Sequence, residues 1–328
     1  MTTPHPHQDT ATQQIRVQAP PPPQQQPAPQ PAVPPQQAWQ GAPPPGAYAV
    51  PPGGAVEKAH FGHALASEWT KIRSVRSTMW TLGVMLLLVV GVGLLTALAM
   101  STSEYVTEPI LSGGLFGLLF GQIAVITLGV LVVTSEYGTG MIRTTMTACP
   151  QRGRVLLAKS VVFFLVAFVP TTLACSLVAV VNWALLKDKP VPSFFGGSSP
   201  MADSLVDGRL VATAGEWLGA TVGAGLFVAL LGLLSLAVGA MLRHTAGAVT
   251  TMLGVVLLPI IVSLFLFGES TRSLRENLQG YSPLNGLASL YRVPLQGDGD
   301  GWTLLGLLAA LTAAALIGAY GLLTKRDV

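Results

Sequence analysis

The polar residues of this sequence that could bind a partner are concentrated between Glu136 and Lys159. Basic side chains in such a stretch bind anionic lipid headgroups or acidic protein surfaces. The residue types of an intramembrane active site are missing, because the sequence has no His-Glu-x-x-His motif and its apolar segments contain no Asp. We therefore predict a docking loop rather than a catalytic site, with Arg152, Arg154 and Lys159 reaching lipid or a partner protein.

The centre of this stretch has the signals of a short helix between two turns. Gly138 and Gly140 permit a sharp change of chain direction, and Thr139 can cap a new helix. Pro150 ends that helix, since the residue before a proline avoids helical geometry. We name residues 135–154 the coupling loop, because a short helix held crosswise between two longer ones suits force transmission from a docked soluble domain. Its candidate residues are Glu136, Tyr137, Gly138, Thr139, Arg143, Pro150, Arg152 and Arg154.

Four other polar residues lie in apolar or amphipathic surroundings. Gln122 and Asn182 could contact a transported substrate, or they could form hydrogen bonds between helices. His60 and His63 share a helix face, but a metal site needs a third ligand, which this region lacks. We predict no metal ion and no cofactor in the chain itself.

Long apolar segments must position all of these residues. Half of the 328 residues are hydrophobic, only 10% are charged and the mean hydropathy is +0.56, whereas soluble domains carry about 25% charged residues. Six stretches reach the roughly 18–20 residues that cross a ~30 Å hydrocarbon layer as a helix. An all-α polytopic membrane protein is therefore predicted. Its spans are Met79–Met100, Gly113–Thr134, Val155–Leu186, Trp217–Leu242, Thr245–Gly268 and Trp302–Thr324.

An amphipathic helix is predicted immediately before the first span. Its apolar side chains recur every three or four positions; they are Phe61, Leu65, Trp69, Ile72 and Val75. The remaining face is charged and contains Glu68, Lys71, Arg73 and Arg76. Such a helix lies in the membrane interface, so we predict an elbow helix that enters the first span along the cytoplasmic leaflet.

The lysines and arginines set the predicted orientation. With the N-terminus inside, 12 of the 18 basic residues lie in cytoplasmic segments, which places both chain ends in the cytoplasm. These residues sit at membrane edges, so the net charge of +3 does not indicate a nucleic-acid partner. The contacts expected there are with membrane lipids.

Two segments outside the spans have a character of their own. Residues 1–56 hold 16 of the chain's 25 prolines, which predicts a disordered cytoplasmic tail before a membrane domain at 57–328. That tail is either a solvated arm or a ligand for proline-recognising modules. Residues 269–301 are predicted to form an outer re-entrant or interfacial segment, in which Ser282 and Pro283 start a short helix.

The coupling loop resembles the segment between the second and third spans of ABC-2-type transporter permeases. The shared pattern is E-Y-G-T-G…P-Q-R-G-R…K, in which Glu136, Gly138, Thr139, Pro150 and Arg152 take the family's positions. The elbow helix, six spans, orientation and outer helices also match, over about residues 60–328. The resemblance implies a multi-pass protein of the bacterial cytoplasmic membrane. It would pair with a second permease, identical or different, and with separate ATPase subunits that dock on the coupling loops.

An ATP-binding site is not expected in this chain. Leu111–Gly114 spells the first letters of the ATPase signature loop, yet the sequence contains no G-x-x-x-x-G-K-[ST]. The chain is thus predicted not to be an enzyme, and ATP would bind the partner subunit. Spans with uncharged centres favour export of an apolar or amphipathic small molecule or lipid. The alternative hypothesis is a non-transporting membrane scaffold or sensor that recruits partners through its proline-rich tail.

Overall fold

The computed structural model describes residues 60–141, 152–192, 204–206, 209–297, 299 and 301–325. The tail at 1–56 and most of the coupling loop, with Arg143 and Pro150, lie outside these ranges. The side chain of Arg152 also lies outside the description, although its backbone begins a helix. The disordered tail and the crosswise coupling helix therefore remain predictions.

Helices dominate the described residues, and six of them are long and apolar enough to cross a membrane. This confirms the predicted all-α class with six candidate spans; the strands are two residues long each. In chain order the elements are α1 (Phe61–Ser74), α2 (Arg76–Thr102), α3 (Gly113–Gly138), α4 (Arg152–Leu186), β1 (Leu205–Val206), β2 (Arg209–Leu210), α5 (Ala214–Leu218), α6 (Ala224–Leu242), α7 (Thr245–Ser263), α8 (Arg272–Gly280), α9 (Pro283–Leu290) and α10 (Trp302–Lys325). A π-helical turn at Gly219–Gly223 joins α5 to α6, so the two form one span.

Every span differs by one to five residues from at least one predicted bound, and the lengths of the fifth and third spans are the most informative. The fifth was predicted to reach Gly268, but α7 ends at Ser263, and the chain then turns until Gly268 adopts a left-handed φ of 98°. The prediction was too long because the apolar sequence continues past the end of the helix. Phe265 and Phe267 belong to this continuation, and their side chains are 75% and 78% exposed. By contrast α4 has 35 residues, about 50 Å at 1.5 Å per residue. It therefore extends well past a ~30 Å hydrocarbon layer.

Glycines let α3 pack closely in the centre of the bundle. A Cβ on Gly117 would lie 2.6 Å from the Cα of Val89 in α2, and one on Gly121 would lie 2.9 Å from its Cγ2. A Cβ on Gly129 would collide with the backbone of Gly232 in α6. The two glycines of the Gly117-x-x-x-Gly121 pattern therefore contact a helix of the same chain.

Several helix ends meet at one end of the bundle, which we call the coupling-loop end. The hydroxyl of Thr245 at the start of α7 donates to Thr134 Oγ1 near the end of α3, at 2.9 Å. The guanidinium of Arg243, which follows α6, lies 5.1 Å from the ring centre of Tyr137. The start of α4 and the end of α10 are also here, since a Cβ on Gly153 would lie 2.7 Å from the Tyr320 ring.

The opposite end of the bundle is closed by α9. Ser282 Oγ accepts a hydrogen bond from Asn285 N at 3.0 Å and Pro283 occupies the first turn, as the sequence predicted. Every residue from Asn285 to Leu290 is buried. The Asn285 amide organises the surrounding turns with four hydrogen bonds. Its Nδ2 donates to the carbonyls of Gly280 and Gln296, and its Oδ1 accepts from the backbone N–H groups of Leu295 and Gln296.

We predict that Asn285→Ala destabilises the protein by about 2–4 kcal/mol, because the backbone groups that now bond to the amide lose their hydrogen-bond partner. The measurement is thermal unfolding of the purified protein in detergent. Asn277→Ala is the matched control, since Asn277 is an exposed asparagine of the neighbouring helix α8. Equal melting temperatures for the two variants would contradict the assigned role of Asn285.

Candidate functional site

Two carboxylates and two ammonium groups meet at the coupling-loop end. The ammonium of Lys159, near the start of α4, donates to Glu68 Oε2 of α1 at 2.7 Å and to Glu136 Oε1 of α3 at 2.8 Å. Lys71 of α1 donates to Glu68 Oε1 at 2.8 Å and to Glu136 Oε1 at 3.2 Å. We name these four residues the charge cluster. It joins the elbow-helix candidate to both helices that flank the coupling loop.

Three of the four residues of the charge cluster are almost completely buried. Glu68, Glu136 and Lys159 are only 3%, 5% and 4% exposed. A buried charge is strongly unfavourable unless it is paired and hydrogen-bonded, and here two positive charges balance two negative ones. Removal of any one of the four side chains would therefore leave a charge in the cluster without its balancing partner.

One oxygen of the cluster has no partner. Glu136 Oε1 accepts from both lysines, whereas Glu136 Oε2 is buried and accepts no hydrogen bond within the described part of the chain. A buried polar atom without a partner is uncommon in proteins. This oxygen is therefore a candidate contact for a molecule outside the chain.

The sequence placed Lys159 and Glu68 incorrectly. Lys159 was expected to reach lipid or a partner, and Glu68 was assigned to the solvated face of α1. Both are buried because the face of α1 that packs on the bundle runs through Leu65, Glu68 and Ile72. Trp69, also predicted on the apolar face, is 50% exposed. Phe61, Leu65 and Ile72 are at least partly buried, which makes three of the five predicted apolar positions.

The described residues of the coupling loop continue α3 before they turn. Gly138 is still helical, and the left-handed turn comes at Gly140, with a φ of 72°. Thr139 was predicted to start a new helix, but it is the C-terminal cap of α3 and its hydroxyl donates to the carbonyl of Ser135 at 2.9 Å. Tyr137 is partly buried beneath Arg243, and Arg154 is exposed near the start of α4.

Gln122 and Asn182 are fully buried but bond within their own helices. Gln122 Nε2 donates to the carbonyl of Leu119 at 3.3 Å, and Asn182 Nδ2 donates to that of Val178 at 2.9 Å. The expected hydrogen bonds between helices are absent from the described residues. Asn182 instead packs across the interface against Gly113 of α3.

The pKa shifts in α1 fit a cluster that is charged at neutral pH. Burial alone would raise the pKa of the Glu68 carboxyl, but Lys159 and then Lys71 outweigh it, so the pKa lies below its ordinary value. Burial alone would lower the pKa of Lys71, but Glu68 and Glu136 raise it above its ordinary value. Both groups therefore keep their charges across the physiological pH range.

Known proteins give no assignment for this arrangement. No protein-family model matches the chain, and no curated protein matches it. The function has to be argued from the fold and from the charge cluster.

We predict that Lys159→Met destabilises the protein by about 3–5 kcal/mol, because two buried carboxylates then share one partly exposed lysine. Thermal unfolding in detergent measures the loss. Lys325→Met is the control, since Lys325 is exposed at the end of α10. The double variant Lys159→Met/Glu136→Gln restores charge balance and should recover part of the lost stability. A double variant as unstable as the sum of its single variants would contradict the coupling.

The lowered pKa of Glu68 predicts how the stability depends on pH. A carboxyl whose folded pKa is depressed stabilises the fold above its unfolded pKa of 4.5, and this contribution disappears as the pH falls through the folded pKa. The gap in melting temperature between the native protein and Glu68→Gln should thus be full at pH 7 and should narrow as the pH falls below 4.5. Glu104→Gln, at an exposed carboxylate of the opposite end, should show a small gap throughout. A Glu68→Gln gap that is independent of pH would refute the ionic role.

Proposed function

We propose that this chain is the permease subunit of an ABC-2-type exporter in the bacterial cytoplasmic membrane. The observation that carries the proposal is the charge cluster, which ties α1 to the end of α3 and the start of α4. These are the two helices between which the coupling loop runs. A separate ATPase that docks on this loop would thereby act on three elements together.

The orientation supports this assignment. The coupling-loop end contains Lys71 and Arg73 of α1 and Arg76 at the start of α2, together with Arg154 and Arg243. Positively charged segments of this kind are retained in the cytoplasm, where ATP is available. In this orientation α1 is an elbow helix at the cytoplasmic surface, and α8 and α9 lie at the outer end.

The proposed mechanism is mechanical rather than chemical. Closure of the ATPase subunits on ATP would push on the coupling loop, and the loop would shift the ends of α3 and α4. Because the cluster is desolvated, α1 follows these ends instead of separating from them. Between their ends the spans lack charged side chains in the described residues. The pathway therefore suits an apolar or amphipathic small molecule or a lipid, carried between this chain and a second permease.

The test is copurification of an ATPase with the full-length protein from its native membrane. We expect Arg143→Glu to reduce the ATPase yield about tenfold or more, since a reversed charge on the docking loop repels its partner. Arg275→Glu, in α8 at the other end, should leave the yield unchanged. Both variants should keep the melting temperature of the native protein, which separates lost docking from lost folding.

Two outcomes would overturn the proposal. One is an unchanged ATPase yield after deletion of residues 140–148. The other is a native preparation that carries no ATP-hydrolysing partner, which would favour the scaffold or sensor hypothesis instead.

A further inference from the structure

A cavity of about 410 Å³ lies beside the charge cluster, between α1, the first turns of α2 and the last turns of α3. Cavities of roughly 300–1,000 Å³ are the size of ordinary ligand sites. Its walls at the cluster are Glu68, Lys71, Glu136 and Lys159. The proposed ATPase partner does not account for this space.

The cavity wall is polar at one end and apolar at the other. Along α3 it passes from Thr139, Ser135 and Glu136 to Val132 and then to the leucines at positions 131 and 128. The eleven steps between residues 139 and 128 correspond to about 16 Å of helix. This gradient runs from the helix end toward the membrane centre, as in a phospholipid of the same leaflet.

The polar part of the wall includes several hydrogen-bond acceptors beside the two ammonium groups of the cluster. Glu136 Oε2 is buried and has no partner among the described residues. The hydroxyls of Ser74, Thr81, Ser135 and Thr139 line the cavity, and each already donates its hydrogen to a carbonyl of its own helix. Their oxygens can then only accept. An occupant that forms hydrogen bonds with these oxygens must therefore supply N–H or O–H donors.

The charge balance narrows the choice of occupant. The four charges of the cluster sum to zero, so the site has no net charge to hold a bare cation. A zwitterionic headgroup adds no net charge, while its ammonium brings three N–H donors to the free carboxylate oxygen. The apolar half of the wall matches its acyl chains.

We propose that this cavity binds a membrane phospholipid with a primary ammonium headgroup, as in phosphatidylethanolamine. The ammonium donates to Glu136 Oε2 and to the neighbouring hydroxyl oxygens. The acyl chains lie along α3 beside Val132, Leu131 and Leu128. The site shares Ser135, Glu136 and Thr139 with the coupling loop, but lipid binding is measured without an ATPase, so its failure is distinguishable from failure of the proposed transport function.

The test compares two lipids that differ only in their headgroup donors. Purified, delipidated protein in detergent is supplied with phosphatidylethanolamine or with phosphatidylcholine of identical acyl chains. Phosphatidylcholine has the same charges, but its trimethylated nitrogen has no N–H group. We expect at least tenfold higher retention of phosphatidylethanolamine by native mass spectrometry, together with a higher melting temperature.

A pair of variants locates the site without disturbing the charge cluster. Ser135→Trp fills the cavity from an exposed position of α3 and should abolish the preference. Thr127→Trp is the matched control, because Thr127 makes the same bond to the carbonyl four residues earlier but does not line the cavity. It should retain the preference.

Three results would overturn the proposal. Equal retention of the two lipids would exclude recognition of the ammonium, and this arm uses only the native protein. A preference that survives in Ser135→Trp would place the lipid elsewhere. Displacement of the lipid by water-soluble glycerophosphoethanolamine at equal concentration would show that the headgroup alone is bound and that the apolar wall has no part.

Discussion

The ammonium of Lys159 is held between the carboxylates of Glu68 and Glu136, and this buried contact constrains much of the coupling-loop end. The residues come from three separate helices, so no one of them can shift along its axis without leaving a charge unpaired in a dry site. Hydrophobic contacts alone tolerate small slips between helices, because apolar surfaces have no direction. The cluster instead fixes the register of α1 against α3 and α4.

The second constraint on the fold is the close packing of the helices, which depends on glycine residues. In lipid there is little hydrophobic gain from joining two apolar helices, so association depends on van der Waals contact and hydrogen bonds. Gly117 and Gly129 let the backbones of α2 and α6 approach that of α3, and Gly121 makes room for the Val89 side chain of α2. The central position of α3 follows from this close packing. The end of α3 beyond this packed surface lies close to both α1 and α4, and Glu136 accepts a hydrogen bond from a lysine of each helix.

The sequence was sufficient to predict the spans but not the cluster. A run of some 20 apolar residues identifies a span through its length alone, and for this reason all six were found. The helix start at Ser282 and Pro283 was also predicted correctly, because a cap depends only on residues next to each other in the sequence. Glu68 and Lys159 are 91 residues apart, and nothing in either local pattern shows that they meet. The amphipathic pattern of α1 also gave no sign that Glu68 would be buried.

In the proposed exporter, the division between uncharged span centres and a charged end would limit where energy can enter. The span centres carry buried amides, such as those of Gln122 and Asn182, but no carboxylate, lysine, arginine or histidine in the described residues, so the proposed ATP-driven force would act on the helix ends. At the coupling-loop end those ends are α1, α3 and α4, already joined by ion pairs that water does not screen. A force on any one of them reaches the other two without first being dissipated in side-chain rearrangement. For that reason the cluster, rather than the spans themselves, is the feature of this fold that best supports a mechanical role.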